Sequence, residues 1–222
     1  MLASILQGLF DLVTSFNGIF YILAYLLGGI PFGYLLAKTI GGVNIKESGS
    51  GNIGATNVLR VLKEKDPKLA KKLGALTLFL DAIKGALVIL IAKYFGANDY
   101  VLYSIGVFAV IGHCYSPFLN FEGGKGVATG FGVLLTLIPI PSLIALVVWF
   151  VFAKVVKISS LSSLIALLSL VISSYILYPN GLPNIHTQAP LLIITFIIFY
   201  KHIPNIKRLI KKEEGKVAWK SK

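Results

Sequence analysis

The sequence is poor in charge, in acidic side chains and in cysteine. Only 14% of its 222 residues are charged, whereas soluble domains usually carry about 25%. Its single cysteine, Cys114, excludes a disulfide framework within the chain. The hydrophobic fraction is 56%, and these residues form long runs instead of one stripe per helix, which is typical of helices buried in lipid. The sequence therefore predicts an all-α polytopic membrane protein.

The shortage of acidic residues leaves a net charge of +12, from 21 Lys and Arg against 9 Asp and Glu. Such an excess can indicate a nucleic-acid-binding protein. Here the basic residues lie in short segments between the apolar runs and in the tail, which is the distribution that membrane topology produces. We therefore predict the lipid bilayer as a partner, and no nucleic acid.

Seven apolar segments are candidate transmembrane helices of a single domain that covers residues 1–222. We interpret residues 1–16, which lack Lys and Arg, as an interfacial helix or an extension of the first span, and residues 206–222 as a basic tail. The fourth and fifth segments are short, and merging them would leave six spans. The seven segments are residues 18–40, 72–95, 100–119, 126–138, 142–156, 159–178 and 189–200.

The positions of Lys and Arg decide between the two counts. With seven spans, all but Lys84 and Lys93 of the 21 basic residues lie on one side or at its border. Six spans would place the basic residues 201–222 on the opposite side from residues 46–72, which are also basic. Because loops rich in Lys and Arg stay in the cytoplasm, we predict about seven transmembrane helices, with the N-terminus outside and the C-terminus cytoplasmic.

A first glycine-rich cluster lies in the longest polar connection. It contains G-x-G-x-x-G, but no predicted strand precedes it, so the dinucleotide-binding interpretation fails. Closely spaced glycines allow backbone N–H groups to converge on an anion, and Arg60 adds a bidentate fork suited to phosphate. We favour an anion site over a flexible surface loop. The candidate residues are Gly49, Ser50, Gly51, Asn52, Gly54, Thr56, Asn57 and Arg60.

A second cluster surrounds Lys125 at the start of the fourth segment. It is not a Walker A loop, because Gly126 stands where Ser or Thr must hold magnesium. The lysine ammonium and the free N–H groups of a helix start both favour a phosphate. An alternative interpretation is that the glycines form a tight turn and that Lys125 only keeps this loop on the cytoplasmic side of the membrane. The candidate residues are Gly123, Gly124, Lys125, Gly126 and Thr129.

Further polar residues lie in or beside the apolar segments. His202 and Asn205 are three residues apart and share a helix face, although alone such a basic stretch is a topology anchor. Asp81 and Lys84 have the same spacing within the second segment. Ionisable groups in a span are costly, so this pair indicates either a functional site or an internal ion pair.

The order and spacing of these clusters resemble one family, the bacterial acyl-phosphate:glycerol-3-phosphate acyltransferases of the PlsY type. The resemblance covers about residues 20–214. The matching motifs are Ser50-Gly-Asn-Ile-Gly-Ala-Thr-Asn57 with Arg60, Gly112-His113 followed by Gly123-Gly-Lys-Gly-Val-Ala-Thr129, and Lys201-His202 with Asn205 and Arg208.

The resemblance implies a seven-span enzyme of the bacterial inner membrane with its active site at the cytoplasmic face. It implies transfer of a fatty acyl group from acyl phosphate to the 1-hydroxyl of glycerol 3-phosphate, which gives lysophosphatidic acid and phosphate in phospholipid biosynthesis. The implied partners are these two substrates, the bilayer and the soluble enzyme that supplies acyl phosphate. No cofactor and no metal is implied.

The resemblance also implies roles for the individual residues. Arg60 and Lys125 offset the repulsion between two phosphate groups, while the glycine-rich loop holds the acyl phosphate. His202 and Asn205 orient glycerol 3-phosphate. The predicted catalytic residues are Ser50, Arg60, Lys125, His202 and Asn205. The predicted supporting residues are Asp81, Lys84 and His113.

Two sequence features bear on the alternatives. A phosphate or anion transporter would place its donors near mid-membrane, whereas here all the clusters are predicted on one face. The His-x4-Asp motif of acyltransferases with soluble donors is absent, because Phe118, Leu191 and Lys207 stand five residues after the three histidines. This favours acyl phosphate over acyl-CoA or acyl carrier protein as the donor.

Overall fold

The computed structural model describes residue 7 and residues 15–216, and this part of the chain contains helices and no strand. The predicted helix over residues 1–16 lies almost entirely outside the described residues, as does the end of the predicted tail from residue 217. The helices are α1 Phe16–Gly29, α2 Phe32–Thr39, α3 Ala55–Lys63, α4 Pro67–Tyr94, α5 Asp99–Cys114, a 3-10 turn Pro117–Leu119, α6 Val127–Leu137, α7 Pro139–Val156, α8 Ser159–Leu177, α9 Ala189–Lys201 and α10 Ile203–Ile210.

Most of these helices are apolar enough for a membrane. Helix α9 and the amphipathic α10 are long enough for a sixth span only when they are counted together, and a 55° bend separates them. Helix α6 is apolar but has only 11 residues. The all-α prediction is confirmed, while seven spans and the orientation stay predictions. The five segments long enough to cross singly are Phe16–Thr39, Pro67–Tyr94, Asp99–Leu119, Pro139–Val156 and Ser159–Leu177.

The first span was predicted as one continuous segment, but it is interrupted at Pro31. Proline lacks an N–H group and clashes with the preceding turn, so α1 ends and α2 begins there. Two carbonyls freed by the break accept side-chain hydrogen bonds, from Ser116 Oγ to Gly29 O (2.6 Å) and from Lys84 Nζ to Ile30 O (2.7 Å). Backbone polar groups at membrane depth must be satisfied within the protein, so this break joins α1, α4 and the end of α5.

Glycines allow two helix pairs to pack with their backbones in close contact. In each pair, a side chain on the glycine would collide with the main chain of the facing helix. Such close approach is a common packing mode of membrane helices, where small residues replace the hydrophobic driving force. It fixes α1 against α5 and α6 against α4. The contacts are Gly28 with Ala109, Gly112 with Tyr25, Gly85 with Thr129, and Gly132 with Ala82.

Two apolar cores hold the polar loops in place. The larger lies among α1 and helices α4 to α9, and it contains the fully buried Cys114, which therefore packs as a small apolar residue. The smaller lies among α2, α3 and the first turns of α4. It also includes Ile45 and Ile53, which flank the glycine-rich loop. The loop is thus tied to the helices at both ends.

Candidate functional site

A cavity of about 710 Å³ brings the three sequence clusters together. The loops supply its polar end, and helices α4, α6, α7 and α8 supply an apolar groove. Most of the predicted site residues line it, whereas Gly51, Lys84, Gly123, Gly124 and Thr129 do not. The predicted residues on its surface are Gly49, Ser50, Asn52, Gly54, Thr56, Asn57, Arg60, Asp81, His113, Lys125, Gly126, His202 and Asn205.

The glycine-rich loop is shaped by one side chain, that of Asn57. Its Nδ2 donates to the carbonyls of Ile45 (2.9 Å) and Ser48 (3.1 Å), and its Oδ1 accepts from the Ser50 N–H (2.9 Å). Both amide hydrogens are therefore used inside the loop. This corrects the prediction that Asn57 is a donor to a bound anion: it holds the loop in shape instead.

The conformation of this loop requires glycine. Gly49 and Gly51 have φ of +63° and +70°, values that other residues rarely adopt. Asn52 Oδ1 accepts from the Gly54 N–H (2.8 Å), just before α3 begins. Helix α3 then presents Arg60 to the cavity, and the Thr56 hydroxyl lies 3.0 Å from Ser159 Oγ on α8.

The second loop is anchored to the end of α5. Gly124 N–H donates to His113 O (2.9 Å) and Gly123 N–H donates to Cys114 O (3.2 Å). Gly126, with φ of +81°, is the N-cap residue of α6, so Lys125 lies directly before the start of that helix. Gly123 and Gly124 thus form the turn that places Lys125 in the cavity, which was the alternative interpretation of these glycines.

Thr129 also has a different role from the predicted one. Its Oγ1 lies 3.1 Å from His113 Nδ1, and the residue is fully buried. It therefore contacts a histidine below the loop and does not line the cavity. His113 Nδ1 in turn lies 3.8 Å from Asp81 Oδ1.

Asp81 and Lys84 form the internal ion pair that their spacing allowed. Asp81 Oδ1 lies 2.8 Å from Lys84 Nζ, and both side chains are buried. The same ammonium donates to the Ile30 carbonyl at the break of the first span. The pair therefore fixes the helices beneath the polar end, with only Asp81 reaching the cavity.

Lys125 lies partly buried near charged side chains of both signs. Burial lowers the pKa of Lys125 from its usual 10.5 to about 8; Arg208 and Arg60 act in the same direction, whereas Glu214 opposes them. The ammonium is therefore charged below about pH 8 and loses its charge above it. An arriving phosphate dianion would favour the charged form.

His202 stands at the bend between α9 and α10. Its Nδ1 lies 2.7 Å from the carbonyl oxygen of Ile198. Because a carbonyl only accepts, Nδ1 carries the proton, and Nε2 of the neutral ring is left as the acceptor. Pro204 lies in the first turn of α10, and the bend brings Asn205 to the cavity beside His202.

Glu214 lines the cavity, although it is not among the predicted site residues. Its carboxylate accepts hydrogen bonds from Ser160 Oγ (2.7 Å), Asn205 Nδ2 (2.5 Å) and Arg208 Nε (2.6 Å). Burial alone would raise the pKa of Glu214, but these hydrogen bonds outweigh it and hold the pKa below its usual value. The signal available in the sequence was an acidic pair, Glu213-Glu214, within an otherwise basic tail.

The apolar groove continues from the polar end between four helices. Trp149 and Ser163 join two of its sides through a hydrogen bond from Nε1 to Oγ (3.1 Å). Among the described residues, no three His, Cys, Asp or Glu side chains cluster closely enough to hold a metal ion. The apolar residues along the groove are Ala75, Leu78, Phe79, Ala82, Phe131, Leu134, Ala145, Leu146, Trp149, Phe150, Ala166, Leu167 and Leu170.

Comparisons with known proteins agree with this arrangement. The family model described as glycerol-3-phosphate acyltransferase matches residues 18–212. A protein of that name from Nitratiruptor sp. is 61% identical over 94% of this chain and 99% of the relative, and one from Wolinella succinogenes is 59% identical over 93% and 99%.

Solved structures show the same fold. The crystal structure of PlsY, an integral membrane glycerol 3-phosphate acyltransferase, in its glycerol 3-phosphate form is 36% identical with a TM-score of 0.80, covering 92% of this chain and 96% of that one. Its lysophosphatidic acid form matches with a TM-score of 0.78 over 91% and 95%. The chain belongs to the glycerol-3-phosphate acyltransferase family of the PlsY type, as its three motifs predicted.

Proposed function

We propose that this protein transfers a fatty acyl group from acyl phosphate to the 1-hydroxyl of glycerol 3-phosphate in phospholipid biosynthesis. The observation that carries the proposal is a single cavity with a cationic polar end and a long apolar groove. Both substrates carry a phosphate, and one also carries an alkyl chain. The polar end fits the two phosphates, and the groove fits the chain.

The reaction needs positioning more than activation. The 1-hydroxyl oxygen attacks the carbonyl carbon of the acyl phosphate, the bond from that carbon to the phosphate oxygen breaks, and phosphate departs with the bonding electrons. Arg60 and Lys125 offset the charge on the two phosphates, and the glycine-rich loop with Ser50 faces the departing phosphate. Because the donor is already an activated anhydride, holding the two groups together supplies most of the rate.

We assign His202 and Asn205 to orienting glycerol 3-phosphate. His202 Nε2 accepts a hydrogen bond from a substrate hydroxyl, while Nδ1 stays bonded to Ile198 O. The Asn205 amide is held by Glu214. In this mechanism the hydroxyl proton passes to a phosphate oxygen of the substrates, so His202 is not the base.

The dependence of the rate on pH tests these assignments. We expect kcat/KM to fall above about pH 8, because the charge of Lys125 in the free enzyme is lost there. Lys125→Arg should remove this alkaline limb, since guanidinium stays charged throughout the range. An alkaline limb that persists unchanged in Lys125→Arg would exclude Lys125 as its origin.

The acidic side of the same profile distinguishes the two roles of His202. If His202 orients the substrate, His202→Ala should lower the rate but keep the acidic limb near pH 6 that the substrate phosphate itself produces. If His202 is a general base, its own titration should add a second acidic limb to the wild-type profile, separate from that of the substrate phosphate, and this second limb should disappear in His202→Ala. The second result would contradict substrate-assisted proton transfer.

We further propose that the chain spans the bacterial inner membrane seven times, with the cavity opening to the cytoplasm. The apolar α6 and helix α9, which matches the predicted span 189–200, supply the two spans that length alone does not identify. Acyl phosphate then reaches the site from the soluble enzyme that makes it. A transporter is less well supported, because the deep end of the groove is closed by buried side chains, Leu134 and Leu170 among them.

Thiol labelling tests this topology. Because Cys114 is buried, a cysteine introduced at the exposed Asn180 should dominate the reaction of intact cells with an impermeant reagent. A cysteine at Ser221 should react only after the cells are opened. Labelling of Ser221→Cys from outside intact cells would reverse the orientation.

A further inference from the structure

The apolar groove is open to the membrane on one side and closed at its deep end. Leu78, Phe79 and Phe150 line it and are 47%, 57% and 53% exposed, so they form a lateral opening toward lipid. Farther from the polar end, Leu134 and Leu170 line it at only 2% and 5% exposure. A chain can therefore enter sideways but meets buried side chains at the far end.

The depth of the closed end corresponds to the length of a membrane lipid chain. Leu170 lies eleven residues beyond Ser159 on α8, which is about 16 Å at roughly 1.5 Å per residue. One leaflet of the hydrocarbon core is about 15 Å thick, half of roughly 30 Å. The closed end thus lies about as deep as one leaflet of lipid chains.

The closed end offers no unpaired polar group to an incoming chain. Ser142 Oγ on α7, which lines the cavity there, donates to the Ile138 carbonyl (2.9 Å) and is 1% exposed, and Ser173 Oγ donates to the Leu170 carbonyl (3.1 Å). Ala145, one turn further along α7, lines the groove and is 8% exposed. Its small side chain leaves the space that the last methylenes of a chain would fill.

We propose that this closed end measures the acyl chain, with Leu134, Ala145 and Leu170 determining which length of acyl phosphate the protein uses best. The inference rests on the proposed function and specifies its donor. Each buried methylene favours binding by about fourfold. A chain whose last methylenes cannot enter the closed end loses that contribution, and a shorter chain leaves the end empty.

The first test fills the closed end. In Ala145→Phe, kcat/KM for hexadecanoyl phosphate should fall on the order of tenfold or more relative to kcat/KM for dodecanoyl phosphate, because at least two to three methylenes lose their place. Retained turnover of dodecanoyl phosphate shows that the variant is folded. The matched control is Val147→Phe, on the same helix but 62% exposed and outside the groove, which should leave the ratio unchanged.

The second test deepens the closed end and does not depend on the first variant folding. Leu170→Ala should raise the ratio of octadecanoyl to hexadecanoyl phosphate turnover several-fold, since about one more methylene gains a buried place. Ile172→Ala, on the same helix but 59% exposed and outside the groove, should keep the wild-type ratio.

The outcomes separate this inference from the proposed function. Wild-type turnover of acyl phosphates with chain-length ratios that stay unchanged in Ala145→Phe and Leu170→Ala would overturn the measuring role alone. No turnover of any acyl phosphate by the wild-type protein would overturn the proposed function and the inference with it. Opposite shifts in the two variants, with both controls unchanged, support the inference.

Discussion

Arg60→Ala and Lys125→Ala should each lower kcat/KM for acyl transfer by about 10²–10³-fold while the protein stays folded. Both cations line the polar end of the cavity, where the proposed reaction brings two phosphate groups together. Removing one electrostatic donor from a preorganised site typically has this effect. Steady-state kinetics with acyl phosphate and glycerol 3-phosphate measure it, and thermal unfolding in detergent checks the fold.

Two further variants distinguish contact with phosphate from an effect of net charge. Arg60→Lys should recover little activity, because a point charge cannot reproduce the bidentate guanidinium fork. Lys63→Ala removes a positive charge from the same helix at a residue that does not line the cavity, and it should retain nearly full activity. Equal losses in Arg60→Ala and Lys63→Ala would mean that net charge, and not contact with phosphate, sets the rate.

Lys84→Met should destabilise the protein by about 3–5 kcal/mol, because it leaves the Asp81 carboxylate buried without its partner. The variant also removes the donor to the Ile30 carbonyl at the break of the first span. The unfolding temperature in detergent should fall on the order of 10 °C. Lys93→Met makes the same chemical change at an exposed position of α4 and should have little effect.

A double variant separates the ion pair from the other contacts of these residues. Asp81→Leu with Lys84→Met removes both charges, so its loss of stability should be clearly smaller than the sum of the two single losses. Additive losses would show that the two side chains act independently, despite the 2.8 Å between their charged atoms.

Composition predicted the class of fold, and motif spacing identified the three clusters that line one cavity. Long apolar runs with basic connections indicate membrane helices, because a helix satisfies its backbone hydrogen bonds internally. The break at Pro31 was predictable in principle, since proline interrupts helices. The hydropathy of residues 18–40 nevertheless continues across it, and hydropathy defined the span.

The direction of polar side chains was not predictable from the sequence. Asn57 and Thr129 are polar residues within the motifs predicted to bind phosphate, yet Asn57 bonds its own loop and Thr129 contacts His113. Glu214 reaches the cavity only because the chain returns after α10, and no local pattern encodes a contact with Ser160, 54 residues away. Residue type and spacing indicate which residues gather, whereas packing decides which of them face the substrate.

The most direct test is an acyl-transfer assay with purified protein, radiolabelled glycerol 3-phosphate and two donors, palmitoyl phosphate and palmitoyl-CoA. The cationic polar end and the absent His-x4-Asp motif predict labelled lysophosphatidic acid from palmitoyl phosphate and none from palmitoyl-CoA. Equal rates with both donors would contradict the assignment of the donor. No product from palmitoyl phosphate would contradict acyl transfer from acyl phosphate at this cavity.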